Sequence, residues 1–464
     1  MRLFQKQFLI AKQNYAFDDT WRHINLPEGW ILSFQELLNY RHEAPEPDAD
    51  MTIGDRYSWC DGEGEAGRYV RLRYPHVTID PCGLLGVFFG GRGENVCVGS
   101  SAELVAAFLA GRPHPEPDTV IDLEHRAFMN YIPAPGTRWR AVRRLLSDQA
   151  FDLRKGEVVA IDDGISPLSD FNTAVDVVAE ELCNFASALG QRVDGVIDVK
   201  LTAGYDSRTL VAAFAAAGVP FRTSTLDFVG KPKSDIDHAR KISKVLGVPH
   251  VIQTPLDSDP ELRSLVDRHV SGSLTDWATT HMIPGMIDSD LSESDAIVVG
   301  HCFEVGYPQT SVFLERVNFS DASGMDIVKA LWRDRHYRSE DAFAKMLDDW
   351  LNWRREHPRQ MEWSSCFYLD QRLGAWKSSE DHAFDVLRPP RVTPANNRKI
   401  LSAMITPNFS ERREKRLQIE VIRRLAPRLL RYSFNPVDVS LSKRVRRKVR
   451  GAGKRLLSSF QLVR

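Results

Sequence analysis

The sequence has no apolar stretch near the length of about 18 residues that a membrane-spanning helix needs, so we expect no transmembrane segment. Its start, MRLFQKQFLI, lacks the apolar core and the cleavage site of a secretory signal peptide. The six cysteines are scattered and form no C-x-x-C pair, which argues against a zinc knuckle and for reduced thiols. Together these absences predict a cytoplasmic protein.

An excess of one charge is also lacking. The 464 residues include 61 basic and 62 acidic side chains, so the net charge of −1 does not favour a nucleic-acid partner. No G-x-x-x-x-G-K-S/T phosphate loop occurs, and G-G-R-G-E-N at 90–95 reads as a hairpin turn. With 43% hydrophobic residues and no internal repeat, the composition is that of an ordered globular chain of two or three domains.

What the sequence does contain is a strand, a turn and a helix around residue 204. The apolar stretch 196–201 leads into the small residues Thr202–Gly204, and a helix rich in alanine and leucine follows. Amide groups of such a turn, with the positive end of a helix dipole, bind an anion such as pyrophosphate. Ser207 adds a hydroxyl donor, and Asp206 suits the Mg²⁺ that accompanies ATP. An ordinary turn without a ligand is the alternative.

From Asp170 onward the pattern alternates between helices and strands. We predict helices over 172–189, 209–217 and 235–246, and strands over 195–201, 222–228, 249–254 and 295–299. This spacing of strand, helix and strand predicts a parallel, doubly wound sheet, and residues 324–430 read as mainly helical. Ligands bind such sheets at the carboxyl ends of the strands, where the strand order switches.

The first part of the chain is predicted to be rich in β-structure. Alternating patterns begin at Gly67, short strands are expected over 95–100, 142–145 and 156–161, and Ser101 is the expected N-cap of a helix that ends at Ala110. Residues 1–64 are rich in tryptophan and turn formers, and we assign no strand to them.

The stretch V-K-L-T-A-G-Y-D-S-R at 199–208 resembles the S-G-G-x-D-S pyrophosphate loop of ATP pyrophosphatases, in particular of the asparagine-synthetase-like branch. Thr202 keeps the hydroxyl of the first serine, and Gly204, Asp206 and Ser207 match the motif. Ala203 replaces a glycine, so its Cβ would be strained if this position required a positive φ.

A second stretch, G-H-C-F-E-V-G-Y at 300–307, resembles the second motif of that family, S-G-E-G-x-D-E-x-F-G-G-Y. Gly300 and Glu304 match it, and His301 stands where the family has an acid. The resemblance implies that Glu304 and Asp206 share Mg²⁺, and that His301 is a base that deprotonates an amine. The alternatives are an interior salt bridge for Glu304 and a hydrogen-bonded loop histidine for His301.

The resemblance also implies the domain organisation of an α/β protein. Residues 1–168 would form a degenerate glutaminase-like α+β sandwich of the N-terminal-nucleophile (Ntn) type, since 80–104 resembles the end of that domain. Residues 169–440 would form a parallel, doubly wound ATP-pyrophosphatase domain with a helical C-terminal part, followed by a basic tail over 441–464. The family's glutaminase uses a cysteine at position 2, where this chain has Arg2, so we expect no glutamine hydrolysis.

The activity that the resemblance implies is that of an AMP-forming amide ligase, similar to relatives of the β-lactam-synthetase type. A carboxylate and ATP would give an acyl-adenylate, and an amine or ammonia would then displace AMP. ATP and Mg²⁺ are the implied cofactors, and Leu201, Leu226 and Gly300 would contact the nucleotide. Relatives without a glutaminase suggest a role in specialised-metabolite or cell-surface glycan synthesis. The alternative is an inactive nucleotide-binding or interaction protein on the same fold.

Two features of the family have no direct counterpart. The family's late lysine, which offsets pyrophosphate charge, has Arg208, Lys231, Lys233 and Arg398 as candidate replacements. The acid of the family's R-x-P-F-L-D loop is replaced by the asparagines at 396–397. The tail after residue 440 carries nine basic residues and no acid, which fits a peripheral contact with an anionic membrane or a solvated terminus.

Overall fold

The computed structural model describes residues 3–42, 50–121, 123, 130–227, 233–254, 260–274, 294–308, 310–332, 339–387 and 389–436. The predicted basic tail, 441–464, and the candidate Lys231 lie outside these residues. Among the described helices, none is long and apolar enough to cross a membrane.

The N-terminal part consists of two six-stranded sheets in which every pairing is antiparallel. Its strands are β1 Phe8–Ala11, β2 Trp21–Asn25, β3 Ile31–Gln35, β4 Tyr40–His42, β5 Asp50–Trp59, β6 Gly64–Arg73, β7 His76–Ile79, β8 Phe88–Gly90, β9 Cys97–Gly99, β10 Val142–Arg144, β11 Gln149–Asp152 and β12 Glu157–Ala160. The strand orders are β10-β8-β9-β1-β3-β2 and β12-β11-β7-β6-β5-β4.

The two antiparallel sheets share one hydrophobic core. Phe8 and Leu32 of the first sheet pack with Ile53, Leu72 and Phe151 of the second, and all five side chains are fully buried. The outer face of the first sheet is covered by helix α1, Ala102–Ala110, which begins at the predicted N-cap Ser101. The arrangement is a two-sheet sandwich, and its assignment to the glutaminase-like Ntn type stays a prediction.

The C-terminal part is built on a five-stranded parallel sheet with the order β15-β14-β13-β16-β17. Its strands are β13 Ile197–Lys200, β14 Arg222–Leu226, β15 His250–Gln253, β16 Ala296–Val298 and β17 Arg391–Val392. The four predicted strands therefore fall on β13 to β16, which confirms the parallel α/β sheet. The chain leaves β13 toward β14 on one side, and β16 lies on the other side, so the strand order switches between β13 and β16.

Helices cover the parallel sheet and form the rest of the C-terminal part. They are α2 Phe171–Arg192, α3 Tyr205–Ala216, α4 Lys233–Leu246, α5 Pro260–His269, α6 Ser311–Leu314, α7 Gly324–Trp332, α8 Glu340–Glu356, α9 Trp363–Phe367, α10 Ser378–Phe384, α11 Arg398–Ile405, α12 Phe409–Arg413 and α13 Arg416–Leu425. A π-helical segment, Tyr368–Lys377, joins α9 to α10 without a break.

Two asparagines at the start of α11 connect the parallel part to the second antiparallel sheet. Asn396 donates to Asp80 Oδ1 at 2.7 Å and accepts from the Cys82 amide at 3.0 Å. Asn397 caps α11 through the Ile400 amide at 2.9 Å and donates to Glu181 on α2. Asn397 also donates to the Glu65 carbonyl oxygen on β6 at 2.9 Å, so both asparagines link the two parts of the chain.

Candidate active site

A cavity of about 260 Å³ lies at the carboxyl ends of β13 and β16, where the strand order switches. Ten residues were predicted to be catalytic or to bind the nucleotide or the metal. Nine of them line the cavity, namely Leu201, Thr202, Gly204, Asp206, Ser207, Leu226, Gly300, His301 and Glu304. The tenth, Ala203, is fully buried in the turn between them. Residues that are about 100 positions apart in the sequence therefore meet in one site.

The turn after β13 is held in shape by its own side chains. Ser207 Oγ accepts from the Thr202 amide at 3.1 Å, and Thr202 Oγ1 accepts from the Gly204 amide at 3.1 Å. The Ala203 amide donates to Asp235 Oδ1 on α4 at 3.0 Å. Ala203 is not one of the residues with a positive φ, so the expected strain at this substitution is absent and the alanine fits the turn.

The first turn of α3 presents its amides to the cavity. Gly204 is the N-cap, and no side chain caps the helix there. A Cβ on Gly300 would lie 3.1 Å from the Ser207 amide nitrogen, so only glycine at 300 leaves room beside this helix start. Uncapped first-turn amides, together with the helix dipole, favour a bound anion.

Asp206 and Glu304 bring two carboxyl groups together at the cavity wall. Burial and the nearby charge of Glu304 raise the pKa of Asp206 well above its usual range, although Lys415 and a 3.2 Å hydrogen bond from Gln418 oppose this. Burial would likewise raise the pKa of Glu304, but His301 and Lys415 hold it below its usual value. Glu304 Oε2 is buried and has no hydrogen-bond partner among the described groups.

Paired carboxylates that repel each other, one with an unpartnered oxygen, fit a divalent cation between them. Mg²⁺ prefers oxygen ligands and usually binds one or two carboxylates together with phosphate oxygens. The donor set of Asp206 and Glu304 beside an anion-binding helix start meets this description.

His301 lies next to Glu304 on the loop after β16. Its Nδ1 is 3.8 Å from Glu304 Oε1, and its ring centroid is 6.4 Å from that of Trp376. Cys302 follows with a left-handed backbone, φ +78°, and is fully buried. This turn lets both His301 and Glu304 line the cavity while Cys302 packs into the core.

Of the basic residues proposed to replace the family's late lysine, two are engaged elsewhere. Arg208 is fully buried, donates to the carbonyl oxygens of Tyr432 and Ser433, and lies 3.8 Å from the Phe434 ring centroid. Arg398 pairs with Glu65 at 2.7 Å. Neither lines the cavity.

Lys415 is a cation that acts on both carboxyl groups, and the sequence did not indicate it. Its charge lowers the pKa values of both Asp206 and Glu304. Its Nζ lies 5.6 Å from the ring centroid of Tyr307 and forms no ion pair with any residue that the structure describes. Lys415 itself has a positive φ of +57° just before α13, a backbone feature that the sequence does not reveal.

Two further basic residues, Lys200 and Arg391, line the cavity. Lys200 Nζ donates to Ser224 Oγ at 2.8 Å and Gln253 Oε1 at 2.7 Å, so it joins the ends of three neighbouring strands. Arg391 pairs with Glu380 at 3.1 Å and Asp381 at 3.3 Å. Strand alternation could have indicated Lys200, whereas Arg391 lies on a two-residue strand without a recognisable pattern.

Part of the cavity wall is apolar. Its lining includes Leu226, Ile297, Val299 and Phe384. A flat, apolar ligand portion fits this wall, while a charged portion fits the helix start and the carboxylate pair. The two halves together suit a molecule such as ATP, with an aromatic base at one end and phosphates at the other.

Comparison with known proteins identifies no family for this chain. No family model matches the sequence, and no curated protein is similar to it. Among solved structures, an NMN synthetase from Francisella tularensis is 14% identical, with a TM-score of 0.23 over 43% of this chain and 93% of that one. An NH₃-dependent NAD synthetase from Campylobacter jejuni is 12% identical, with a TM-score of 0.22 over 43% and 93%.

A third solved structure, a U34-tRNA thiolase from Methanococcus maripaludis, is 12% identical, with a TM-score of 0.22 over 44% of this chain and 78% of that one. TM-scores this low do not establish a shared fold. The chemistry of the site therefore rests on the geometry of this chain alone.

Proposed function

We propose that the protein is an ATP-dependent, AMP-forming ligase that adenylates a carboxylate and joins the acyl group to an amine or ammonia. The observation that supports this most is the meeting of Asp206 and Glu304 beside the uncapped start of α3, at the switch point of the parallel sheet. An ATP-using site needs carboxylates that bind the cation close to backbone amides that bind the phosphates.

In the proposed complex the phosphates of ATP contact the first-turn amides of α3 and the Ser207 hydroxyl, and the base lies on the apolar wall near Leu226. Asp206 and Glu304 would hold Mg²⁺, which when bound neutralises charge on the phosphate oxygens and on the leaving pyrophosphate. Lys415, which has no ion pair among the described residues, would add positive charge on the same side.

The reaction would proceed in two steps. A carboxylate oxygen of the acid attacks the α-phosphorus of ATP, the bond to the β-phosphate oxygen breaks, and pyrophosphate leaves. The amine nitrogen then attacks the acyl carbon, and AMP leaves with the former carboxylate oxygen. His301, at the cavity wall, would take the proton that the amine loses.

We further propose that the N-terminal sandwich serves as a scaffold rather than as a glutaminase. A role in specialised-metabolite or glycan synthesis, like the contact of the tail 441–464 with an anionic membrane, stays a prediction. Release of glutamate from glutamine by the purified protein would contradict the scaffold role.

The experiment is ATP–pyrophosphate exchange measured with a panel of carboxylates, for the parent protein and two variants. Glu304→Gln should lower exchange by roughly 10²-fold or more, the usual scale for losing a positioned charge in a closed site. His301→Ala should leave exchange largely intact but slow amide formation by about 10²–10⁴-fold, since it removes only the base.

The two variants separate the adenylation step from the amide-forming step. Loss of both half-reactions in His301→Ala would show that this residue is not specific to the amine step. If the parent binds ATP but shows no exchange with any carboxylate, the protein is instead an inactive nucleotide-binding member of the same fold.

A further inference from the structure

The C-terminal segment, residues 429–436, lies against the turn that starts α3. Phe434 stacks on the ring of Tyr205, with the two ring centroids 4.0 Å apart and the ring planes 7° from parallel. The guanidinium carbon of Arg208 lies 3.8 Å from the centroid of the same Phe434 ring. The two residues between Tyr205 and Arg208 line the cavity, so the C-terminal segment contacts their neighbours on both sides in the sequence.

The hydrogen bonds of Arg208 run to backbone carbonyl oxygens. Its Nη1 donates to those of Leu429 and Tyr432 at 3.3 and 2.6 Å, and its Nη2 donates to those of Ser433 and Ala203 at 3.0 Å. The side chain is fully buried, and its Nε has no hydrogen-bond partner among the described groups. Three of the four carbonyl groups belong to the C-terminal segment and the fourth to the turn, so one guanidinium group joins the two.

Ala203 is the residue at which the C-terminal segment meets the anion-binding turn. Its carbonyl oxygen accepts from Arg208 Nη2 at 3.0 Å and from the Asn435 amide at 3.1 Å. Its own amide donates to Asp235 on α4. Because a peptide unit is planar, holding the Ala203 carbonyl group also fixes the direction of the N–H of Gly204, the N-cap of α3.

The contact between the C-terminal segment and the turn lies at the surface of the protein. Tyr432 and Phe434 are half-buried, and Ser433 and Asn435 are exposed. Local opening of such a segment costs less free energy than unfolding of the core. A ligand that binds the turn in its present shape would therefore favour the docked segment.

We propose that Arg208 is a positioning residue for the anion-binding turn, which it supports by holding the C-terminal segment against the start of α3. This rests on the proposed function, in which the turn binds the phosphates of ATP. Arg208 does not line the cavity, so it acts through Ala203 and Phe434 and not by touching the ligand. Ligand binding at the turn and docking of the C-terminal segment should strengthen each other, since coupling between two sites is reciprocal.

The first test is amide hydrogen exchange of the full chain, followed in peptides that cover the C-terminal segment, with and without pyrophosphate and Mg²⁺. The Asn435 amide reports directly on the contact, because it donates to the Ala203 carbonyl oxygen. In the parent protein, pyrophosphate should slow this exchange by at least about five-fold. Arg208→Gln should exchange faster than the parent without ligand, and pyrophosphate should no longer slow it. Arg208→Lys keeps the charge but not the fork of donors, and should recover part of the protection.

The second test is calorimetric titration of the same proteins with Mg·pyrophosphate and with Mg·ATP. Arg208→Gln should weaken the binding of both by at least about five-fold, and Arg208→Lys by less. Phe434→Ala leaves Arg208 in place and removes only a half-buried ring, so it decides the question if Arg208→Gln fails to fold. It should weaken both affinities by at least about two-fold. The matched control is Arg431→Gln, which removes an exposed guanidinium from the C-terminal segment and should change neither affinity nor exchange.

Unchanged affinities in both Arg208→Gln and Phe434→Ala would overturn the positioning role, whether or not exchange became faster, because the C-terminal segment would then be a structural element only. Exchange in the parent protein that pyrophosphate binding leaves unchanged would overturn the coupling. A parent protein that binds neither pyrophosphate nor Mg·ATP would contradict the proposed function itself, and the positioning role would fall with it.

Discussion

The structure leaves little room for a side chain at Gly300. A Cβ at this position would lie 3.1 Å from the Ser207 amide nitrogen and 3.3 Å from the Asp206 carbonyl carbon, against the start of α3. We predict that Gly300→Ala weakens binding of Mg·ATP by about ten-fold or more, as measured by titration calorimetry, because a methyl group covers an anion-binding amide.

The control removes a methyl group from the turn that precedes α3. Ala203 does not need a positive φ, so Ala203→Gly should leave the affinity for Mg·ATP within about two-fold of the parent. Equal affinities for all three proteins would mean that phosphate does not bind at the start of α3. Circular dichroism would show whether Gly300→Ala has kept its fold.

At the scale of elements, the sequence predicted the parallel sheet because short strand patterns alternate with helix patterns at the spacing of βα units, although β14, R-T-S-T-L, is largely polar. The predicted strand 195–201 is observed as Ile197–Lys200, and 295–299 as Ala296–Val298. The helix predicted over 172–189 is observed as Phe171–Arg192, with Asp170 as its N-cap. Strands of a parallel sheet that is covered by helices are buried on both faces.

The first five strands were not predicted, and the interpretation of residues 1–64 without strands is wrong for the part that is described. Here β2 exposes most of its residues, and β5 bends through Gly54, which has a φ of +97°. The strand β11 was also missed, since all four of its residues are buried and give no alternation. Such strands are defined by their partners more than by their own pattern.

The start of α11 offers a prediction at this scale. Asn396 is fully buried, and its amide donates to Asp80 Oδ1 at 2.7 Å. Asn396→Asp would place two buried carboxyl groups in contact. We expect the free energy of unfolding in urea to fall by about 2–4 kcal/mol at pH 7.

Asn408→Asp is the control, because this exposed N-cap of α12 accepts from the Glu411 amide at 3.1 Å and an aspartate can do the same. It should change the free energy of unfolding by less than about 0.5 kcal/mol. If Asn396→Asp were equally harmless, Asn396 would not be the link between the two parts of the chain.

At the scale of the whole molecule, the sequence predicted which residues meet at the switch point. Most of these residues directly follow β13 or β16, and the carboxyl ends of these two neighbouring strands lie side by side. The sequence did not predict Lys415, because this residue belongs to a helical region whose position depends on tertiary packing. It also could not show that Arg208 would be engaged by the carbonyl groups of 429–433.

A buried ion pair between the antiparallel and the parallel parts gives the prediction at this scale. Arg68 on β6 contacts both oxygens of Asp385, which follows α10, at 2.6 and 2.8 Å. Arg68→Met would leave the carboxylate buried without its partner, so we expect a loss of about 3–5 kcal/mol in the free energy of unfolding at pH 7.5.

The pH dependence of this loss has a definite sign. Burial would raise the pKa of Asp385, but Arg68 and His382 hold it well below its ordinary value, so the pair stabilises the parent above about pH 4 and less so below. Without Arg68, burial dominates and the folded carboxyl binds its proton more tightly than the unfolded one. The deficit of Arg68→Met should therefore shrink between pH 7.5 and 5, and protonation of His382 would act in the same direction. A deficit that grows as the pH falls would contradict this.

The central claim is that the cavity binds ATP through a cation held by Asp206 and Glu304. The most direct measurement is isothermal titration of the parent protein and of Asp206→Asn with an ATP analogue that has a methylene group between the α- and β-phosphorus atoms, in Mg²⁺ and in EDTA. We predict binding of the parent in Mg²⁺ with a Kd below about 1 mM, weakened at least ten-fold by EDTA or by Asp206→Asn. No binding by the parent at millimolar analogue, or equal binding in Mg²⁺ and EDTA, would contradict the account.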